Sequence, residues 1–444
     1  MIFSDYLFVV SILLPYICFV RFMNRGDGNR EWLLLFVVAL SLAYYAFGPG
    51  AHLPIFLAFV LGNMLIVFTV SSPMVLAAAA VVNIVALFVL KGVMPAGAPL
   101  ATSFVVFQIV GLLVRQIRMP QTDITPTGYG FFVTFFPQLV AGPIIHWRNV
   151  RAFLERVRAG TVRSMPIDWA LLFIGIGFAK KVLIADRLYG PVSVFQEGLF
   201  PFSFIDAALF PLLYGLYIYF DFSAYSDIAT GLALMIGLRL PINFYSPYRA
   251  VTPNSFWHRW HRTLHKFLKF DLRFLYRRAG LPSGIAFVFL IFVFSGYWHG
   301  AALGFMIWAL GHFAWFMLYP RELMQTLPPA AAWAVNFAVV MLLWVPFALS
   351  GPQMLEWAQA LASPALSLAS AGEGFSSVYL NRYDLIVLAV ALGVALAAPN
   401  GFQMVRSKRL WGLKRLAAVV FLVASAKYVI DPASPGVPFA YFQF

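Results

Sequence analysis

The chain consists of long apolar runs separated by short polar segments. A helix needs about 20 apolar residues to cross the hydrocarbon core of a bilayer, and many of these runs approach that length. Only 11% of the 444 residues are charged, against about a quarter in a typical soluble domain. The pattern predicts an all-α polytopic membrane protein. Twelve spans are expected near residues 4–20, 32–47, 53–70, 74–90, 100–114, 168–185, 204–220, 282–298, 301–319, 332–349, 382–398 and 415–430.

The cations of the chain lie mostly in short segments between these runs. The net charge of +14 would suit a nucleic-acid partner, but this distribution follows the positive-inside rule instead. We therefore expect the lipid bilayer, and no nucleic acid, as their partner. Arg21, Arg25 and Arg30 follow the first run, and Arg115 and Arg118 follow the fifth. These ends are predicted to be cytoplasmic, which leaves both chain termini outside.

Three segments do not fit a simple span. Residues 126–147 are interrupted by several prolines and glycines, 219–227 contains two aspartates, and 249–278 is strongly basic. Irregular backbone persists at membrane depth only where it is buried in protein or lines a wet cavity. The middle of the chain is therefore expected to depart from a plain series of spans.

The aspartates Asp221 and Asp227 lie six positions apart. At 100° per residue they are separated by about 240° around an ideal helix, so they do not share a face. A mechanism based on paired carboxylates is therefore not expected. We predict that each makes a structural ion pair with a nearby Arg or Lys.

The stretch FWHRWHRTLHKFLKFDLR, residues 256–273, separates cations and aromatic side chains onto opposite faces of a helical wheel. Its basic face includes Arg259, Arg262 and Lys266. Such a helix suits the membrane interface, where it anchors to lipid headgroups. The same wheel places His258, His261 and His265 in one strip, which a lipid anchor does not explain.

A metal site is one interpretation of these histidines. Membrane di-iron enzymes use several clustered histidine boxes, whereas this chain has seven histidines in all and no second cluster. The HExxH motif of zinc enzymes is also absent from the sequence. No bound metal is predicted.

Acid–base chemistry is the other interpretation, and His299 is its sharpest candidate. An ionisable side chain in the membrane interior is costly and often functional, and imidazole titrates near neutral pH. Gly296 and Gly300 allow the helix to bend or end beside His299, so that the ring faces a cavity. A buried histidine that bonds a backbone carbonyl is the alternative. Trp298 and His312, in the same stretch, are predicted to be structural.

The motifs taken together resemble the membrane-bound O-acyltransferase (MBOAT) family. The resemblance is strongest to its bacterial branch of alginate O-acetyltransferases and teichoic-acid D-alanyl transferases. The matching stretches occur in order along nearly the whole chain: FFPQLVAGPI at 135–144, YFDFSAYSDIATGLALMIGLRLPINFYSPY at 219–248, FWHRWHRTL at 256–264, SGYWHGAALGFMIWALGH at 295–312, and PFAYFQF at the C-terminus.

The resemblance implies a single membrane-embedded domain over residues 1–444. It would contain N-terminal spans (1–118), a catalytic core (about 126–320) and C-terminal spans (332–444). The implied fold is a ring of about 11–12 transmembrane helices around a central tunnel, with re-entrant and interfacial helices. The implied location is the bacterial cytoplasmic (inner) membrane.

The resemblance also implies the chemistry. His299 would be catalytic and His261 the second active-site residue, while Arg259, Arg262 and Lys266 would attract the phosphates of a donor or lipid headgroups. An acyl group, most simply acetyl, would pass from a cytoplasmic thioester to a hydroxyl of a surface polysaccharide or glycolipid. No cofactor is expected to stay bound. Acyl-CoA or an acyl carrier protein would be the co-substrate, and an accessory periplasmic acyltransferase protein would be a partner.

Other functions stay open at this stage. D-alanyl or other acyl transfer from a carrier protein is an alternative within the same family. A transporter or flippase with histidines along its permeation path belongs to a different class, as does a catalytically silent membrane scaffold. Two departures from the family pattern concern the donor side: Asp271 is displaced by one position from the usual Arg-Asp pair, and Arg115 replaces an acidic residue.

Overall fold

A computed structural model describes residues 12–23, 31–47, 52–93, 101–120, 123–162, 167–199, 201–362 and 380–407, and the single residues 412, 419, 437 and 439. Within these ranges the regular secondary structure is entirely helical, which confirms the predicted all-α class. The predicted span at 415–430 lies outside the described residues, apart from residue 419. The ring of helices and its tunnel stay a prediction.

From residue 31 onward the N-terminal helices follow the predicted spans closely, whereas residues 4–11 of the first predicted span lie outside the described residues. The N-terminal helices are α1 (Leu14–Met23), α2 (Glu31–Phe47), α3 (Leu53–Thr69), α4 (Pro73–Val93) and α5 (Thr102–Arg118). The interrupted segment that follows forms three shorter helices, α6 (Pro126–Thr134), α7 (Phe136–Leu139) and α8 (Trp147–Arg158). Its residues are largely buried in protein, as irregular backbone at membrane depth requires.

The central helices are α9 (Ile167–Phe178), α10 (Asp186–Gln196) and α11 (Phe204–Met235), with a π-helical turn at Ala179–Ala185 between the first two. A broken segment then contains α12 (Pro253–Trp257), α13 (Arg262–Lys266), a π-helical turn at Phe267–Leu272, and α14 (Arg273–Arg278). The remaining helices are α15 (Ile285–His299), α16 (Leu303–Leu318), α17 (Arg321–Thr326), α18 (Pro329–Ala348), α19 (Gly351–Ala362), α20 (Arg382–Ala397) and α21 (Gly401–Arg406).

Several of these helices are apolar enough to lie in a membrane. Among the described residues, three are also long enough to cross one: Pro73–Gly92, Phe204–Met235 and Pro329–Ala348. Shorter apolar helices occupy Glu31–Phe47, Leu53–Thr69, Ile285–His299 and Leu303–Leu318. The chain is therefore a membrane protein by the composition of its helices as well as by its sequence.

Helix α11 forms the centre of the molecule. It runs for 32 residues instead of ending near residue 220, so the predicted boundary was wrong and the polar stretch 219–227 lies inside a continuous helix. Helices α7, α9, α10, α18, α19 and α20 all contact it. Nearly every residue after the first turn is buried, which explains why its sequence is apolar on all sides.

Two glycines set the close approach of α9 and α11. A Cβ atom at Gly177 would lie 2.8 Å from the carbonyl oxygen of Ala224, and one at Gly231 would lie 2.6 Å from that of Ala170. Such contacts are shorter than real side chains allow, and small residues are how membrane helices bring their backbones together.

The predicted ion pairs of Asp221 and Asp227 are present and are made by adjacent lysines. Lys181 Nζ lies 2.7 Å from Asp221 Oδ1 and 2.9 Å from Asp186 Oδ1, and Lys180 Nζ lies 2.6 Å from Asp227 Oδ2. The π-helical turn that carries the lysines directs their consecutive side chains to two positions on α11. Lys181 and Asp221 are each about 1% exposed, so the pair is buried inside the protein.

We predict that Gly231→Ala destabilises the protein by about 1–3 kcal/mol, because the added methyl group forces α9 and α11 apart. The matched control is Gly393→Ala on α20, where a Cβ meets nothing within 4 Å. There, the higher helix propensity of alanine favours the folded state by up to about 1 kcal/mol. Thermal unfolding in detergent measures both changes, and equal shifts in the two variants would contradict the packing argument.

A second prediction concerns the buried ion pair. Lys181→Met leaves Asp221 and Asp186 without their shared cation, which costs about 3–5 kcal/mol. Arg151→Met removes the ion pairs of a 46% exposed arginine with Glu155 and Asp123. It should change the unfolding midpoint much less, because exposed ion pairs are screened. The same unfolding assay compares them, and a stable Lys181→Met protein would show that the pair is dispensable.

Candidate functional site

The C-terminal end of α15 presents His299. The helix ends at this residue, and Gly300 follows with φ 155° and ψ 169°, a backbone conformation that favours glycine. A Cβ at Gly300 would lie 2.8 Å from the ring of Phe305. Gly300, one of the two positions predicted to end or bend the helix, therefore terminates it directly after His299. Gly296 lies within the helix, where it allows close packing against Ala309 and Phe305 of α16.

A cavity of about 220 Å³ runs along α15. Its lining includes Phe287 near the start of the helix and His299 at the end, twelve residues apart. At 1.5 Å per residue this is a length of roughly 18 Å. The other walls come from α11, α12–α14, α16 and α18, and they include Phe222, His261, Trp308, Trp344 and Phe347.

One end of this cavity has a basic rim. Lys269 and Arg273 line it, together with His258 and His265. The guanidinium of Arg273 lies 5.9 Å from the ring of Phe287, at the start of α15, so the rim is far from His299 along the helix. Burial and the neighbouring His258, Lys269 and Lys266 lower the pKa of His265 to about 4, which leaves its imidazole neutral at pH 7.

The predicted orientation of α5 indicates which side of the membrane this rim faces. Arg118, at the end of α5 that is predicted to be cytoplasmic, lies 5.5 Å from the ring of Phe274. Phe274 adjoins Arg273 in the chain, so the rim lies at the same level as Arg118. With the predicted orientation, the basic rim lies on the cytoplasmic side, and His299 lies at the opposite end of the cavity, within the membrane.

Aromatic rings surround His299. Its ring centroid lies 4.7 Å from that of Phe347 and 5.5 Å from that of Trp308, both edge to face. Lys91, on α4, donates from Nζ to the carbonyl oxygen of Trp298 at 2.6 Å. This bond satisfies a carbonyl at the end of α15 and places a cation beside the turn that carries His299. The sequence interpretation missed Lys91, whose only signal is a lone lysine near the end of an apolar run.

His261 lines the same cavity from the broken segment. Its backbone adopts a left-handed conformation with φ 40°, and its side chain is nearly fully buried. Nδ1 lies 3.0 Å from Oδ1 of Asn243, and the ring packs edge to face on Phe222 at 4.9 Å. The structure thus brings His261 and His299 to one cavity. Asn243 was not predicted, although it lies in the matched stretch LPINF.

The predicted single helix over 256–273 is wrong. Helix α12 ends at Trp257, and the left-handed turn at His261 precedes α13, so one helical wheel does not describe the segment. The turn persists because Arg262 N–H donates to the Asn243 carbonyl at 2.8 Å. The rings of His258 and His265 lie 4.7 Å apart at the rim, whereas the ring of His261 packs against Phe222.

The three cations predicted to attract the donor lie beside the cavity wall. The guanidinium groups of Arg259 and Arg262 lie 5.9 and 5.6 Å from the ring of Tyr245. Burial, with Arg262 and Arg148 nearby, lowers the pKa of Lys266. The cations that line the cavity itself are Lys269 and Arg273. The role of Arg259, Arg262 and Lys266 in attracting the donor stays a prediction.

His312 lies in an aromatic cluster outside the lining of the cavity. Its ring stacks on Phe256 at 5.9 Å and meets Trp257 and Trp308 edge to face at 5.0 and 5.1 Å. The structural role of His312 stays a prediction.

The displaced Asp271 is buried and bonds His146, with Oδ2 2.7 Å from Nε2. The part of the chain that the structure describes contains no group of three or more His, Cys, Asp or Glu side chains that would hold a metal.

The described residues form a helical membrane protein whose narrow apolar cavity is lined by four histidines, His258, His261, His265 and His299. Residues 119–350 match the family model described as MBOAT, membrane-bound O-acyltransferase family. The match covers more than half of the chain, and the chain belongs to this family. The resemblance inferred from the sequence motifs is confirmed.

Several curated bacterial proteins are similar to the chain. The peptidoglycan O-acetyltransferase of Helicobacter pylori is 36% identical over 230 residues, which are 49% of this chain and 43% of the relative. The Azotobacter vinelandii protein named "Probable alginate O-acetylase AlgI" is 34% identical over 266 residues, 56% of this chain and 50% of the relative. The teichoic acid D-alanyltransferase of Bacillus subtilis is 27% identical over 198 residues, 41% and 48% respectively. The chain spans about half the length of the curated relatives it matches.

Proposed function

We propose that the chain is a membrane O-acyltransferase that moves an acyl group, expected to be acetyl, from a cytoplasmic thioester to a hydroxyl of a surface polysaccharide or glycolipid. The observation that carries the proposal is the cavity, which joins a basic rim to His299 over roughly 18 Å of α15. The depth of this cavity suits the long flexible arm that carries the acyl group in acyl-CoA or on an acyl carrier protein.

The chemistry needs a base and close approach of two substrates, because a thioester is already activated. His299 accepts the proton of the acceptor hydroxyl while the hydroxyl oxygen attacks the thioester carbonyl carbon. The carbon–sulfur bond then breaks, and the departing sulfur receives that proton from the imidazolium. The products are an ester and a free thiol, and no covalent enzyme intermediate forms.

Trp308 supports this step as a hydrogen-bond donor. Its indole Nε1–H is buried, has no acceptor among the described residues and belongs to a ring that lines the cavity beside His299. A donor at this place suits the carbonyl oxygen of the thioester, where negative charge develops in the transition state.

The similar proteins favour acetyl over D-alanyl transfer. The relatives named as O-acetyltransferase or O-acetylase share 36% and 34% identity with the chain, against 27% for the D-alanyltransferase. An accessory periplasmic acyltransferase protein as partner, the bacterial inner membrane as location, and a ring of helices around the cavity complete the proposal. The two catalytic histidines and the single-domain organisation belong to it as well.

The central test is His299→Ala in membranes supplied with acyl donor and acceptor. Loss of a general base should lower the transfer rate by roughly 10²–10⁴-fold. His52→Ala is the control, because His52 lies at the start of α3, outside the lining of the cavity. Mass analysis of the acceptor measures transfer, and retained acylation by a normally expressed His299→Ala protein would rule out the proposed base. Substrate flux in proteoliposomes without any acyl donor would instead support a transporter.

The donor site is tested by two variants with equal changes of charge. Lys269→Glu with Arg273→Glu should raise the KM for the donor about tenfold or more, because these side chains line the cavity. Arg259→Glu with Arg262→Glu should raise it less, through the long-range field alone. Both should leave membrane insertion unchanged, and donor kinetics at low and high salt measure the difference. An unaltered donor KM in both variants would leave only the lipid-anchor role.

A further inference from the structure

Asn243 holds the imidazole of His261 and also bonds several neighbours. Its Oδ1 lies 3.0 Å from His261 Nδ1, 2.8 Å from the Thr263 hydroxyl and 3.4 Å from the Thr263 backbone nitrogen. Its Nδ2 lies 3.1 Å from Ser226 Oγ on α11. All four residues are buried, so these bonds are not exchanged with bulk water.

The hydrogen-bonding pattern determines which way the amide of Asn243 faces. The Thr263 backbone N–H can only donate, so the atom opposite it must be an acceptor. The Thr263 hydroxyl already accepts from Ile144 N–H at 3.0 Å, and its own hydrogen is therefore available for the same atom. The reversed amide would set an NH₂ group against these two donors. The oxygen of Asn243 consequently faces Thr263 and His261.

The tautomer of His261 follows from that orientation. Because the Asn243 oxygen can only accept, the imidazole must carry its proton on Nδ1. In a neutral imidazole the other nitrogen, Nε2, is then an acceptor with a free lone pair. This atom is buried and has no partner among the described residues, in a ring that lines the cavity.

We propose that Asn243 is a positioning residue, which holds His261 as the Nδ1–H tautomer so that Nε2 accepts a hydrogen bond in the cavity from a hydroxyl of the acceptor sugar other than the attacking one. This inference rests on the proposed acyl transfer. This bond orients the acceptor sugar so that its attacking hydroxyl, whose proton His299 removes, faces the thioester carbonyl carbon. The opposite tautomer would present an N–H at the same place and could not accept from the neighbouring sugar hydroxyl.

Two sets of titratable groups lie around the hydrogen-bonded pair of His261 and Asn243. His299, on α15, interacts electrostatically with His261 and with Lys91 of α4. Behind Asn243, a small polar cavity is lined by Ser226, Asn243, and the ion pair of Lys180 and Asp227. Lys180 and Asp227 neutralise each other, and the remaining walls around His261 are aromatic rings of Phe104, Phe222, Phe244 and Trp298.

The kinetic test compares Asn243→Ala with Asn243→Asp. Asn243→Ala removes the acceptor for Nδ1–H, and kcat should fall roughly 10–100-fold, as for other residues that orient a functional imidazole. Asn243→Asp keeps the acceptor and should recover much of kcat. Its carboxylate stabilises the protonated ring, so activity should be lost at higher pH on acidification than in wild type. Ser226→Ala, which leaves Oδ1 in place, should keep both kcat and the pH profile close to wild type.

Several outcomes would overturn the proposal. Wild-type kcat and pH profile in a folded Asn243→Ala protein would show that the tautomer does not matter. Identical rates and pH profiles in the Ala and Asp variants would assign Asn243 a merely structural role. Both results require active wild-type protein, whereas an inactive wild type contradicts the proposed function itself.

A measurement that needs no activity tests the tautomer directly. In protein with ¹⁵N-labelled histidine, the ring nitrogens of His261 are assigned by their loss in His261→Gln. Wild type should show a protonated Nδ1 and an unprotonated Nε2, and Asn243→Leu should shift this population. A protonated Nε2 in wild type would overturn the proposal whatever the transfer assay shows.

Discussion

Backbone polar groups inside a bilayer must find partners within the protein, and the broken segment around His261 depends on meeting this requirement without a continuous helix. Two non-helical segments, one around Asn243 and one around His261, hydrogen-bond to each other. Tyr245 N–H donates to the Arg259 carbonyl at 3.0 Å, and Arg262 N–H donates to the Asn243 carbonyl at 2.8 Å. These bonds stabilise the left-handed turn at His261. The turn places that imidazole among the aromatic rings of Phe104, Phe222 and Trp298.

The rigid surroundings of this turn come from α11. Gly177 and Gly231 bring its backbone against α9, and adjacent lysines neutralise the aspartates that it carries at membrane depth. Ser226, on the same helix, bonds Asn243. The central helix therefore packs against the segment that carries Asn243, while Oδ1 of Asn243 bonds His261.

The cavity explains why an imidazole is tolerated in such an apolar environment. His299 terminates its helix at a glycine turn, so its ring faces the cavity from the helix end, and Lys91 satisfies the carbonyl next to it. The cavity is a long apolar passage with Lys269 and Arg273 at one end. In the proposed function, these cations attract the charged part of the acyl donor and the apolar interior holds its thioester beside His261 and His299.

The amino-acid sequence by itself determined the helical membrane class, the family, the ion pairing of Asp221 and Asp227, and the end of the helix beside His299. These features depend on local composition, glycine placement and ordered motifs, which are readable along the chain. The tertiary structure alone decided that 256–273 is broken at His261, that α11 continues to Met235, and that Asn243 and Lys91 support the two histidines. Helical periodicity assumes about 3.6 residues per turn, so it fails where long-range hydrogen bonds, such as that from Arg262 to Asn243, hold the backbone in another conformation.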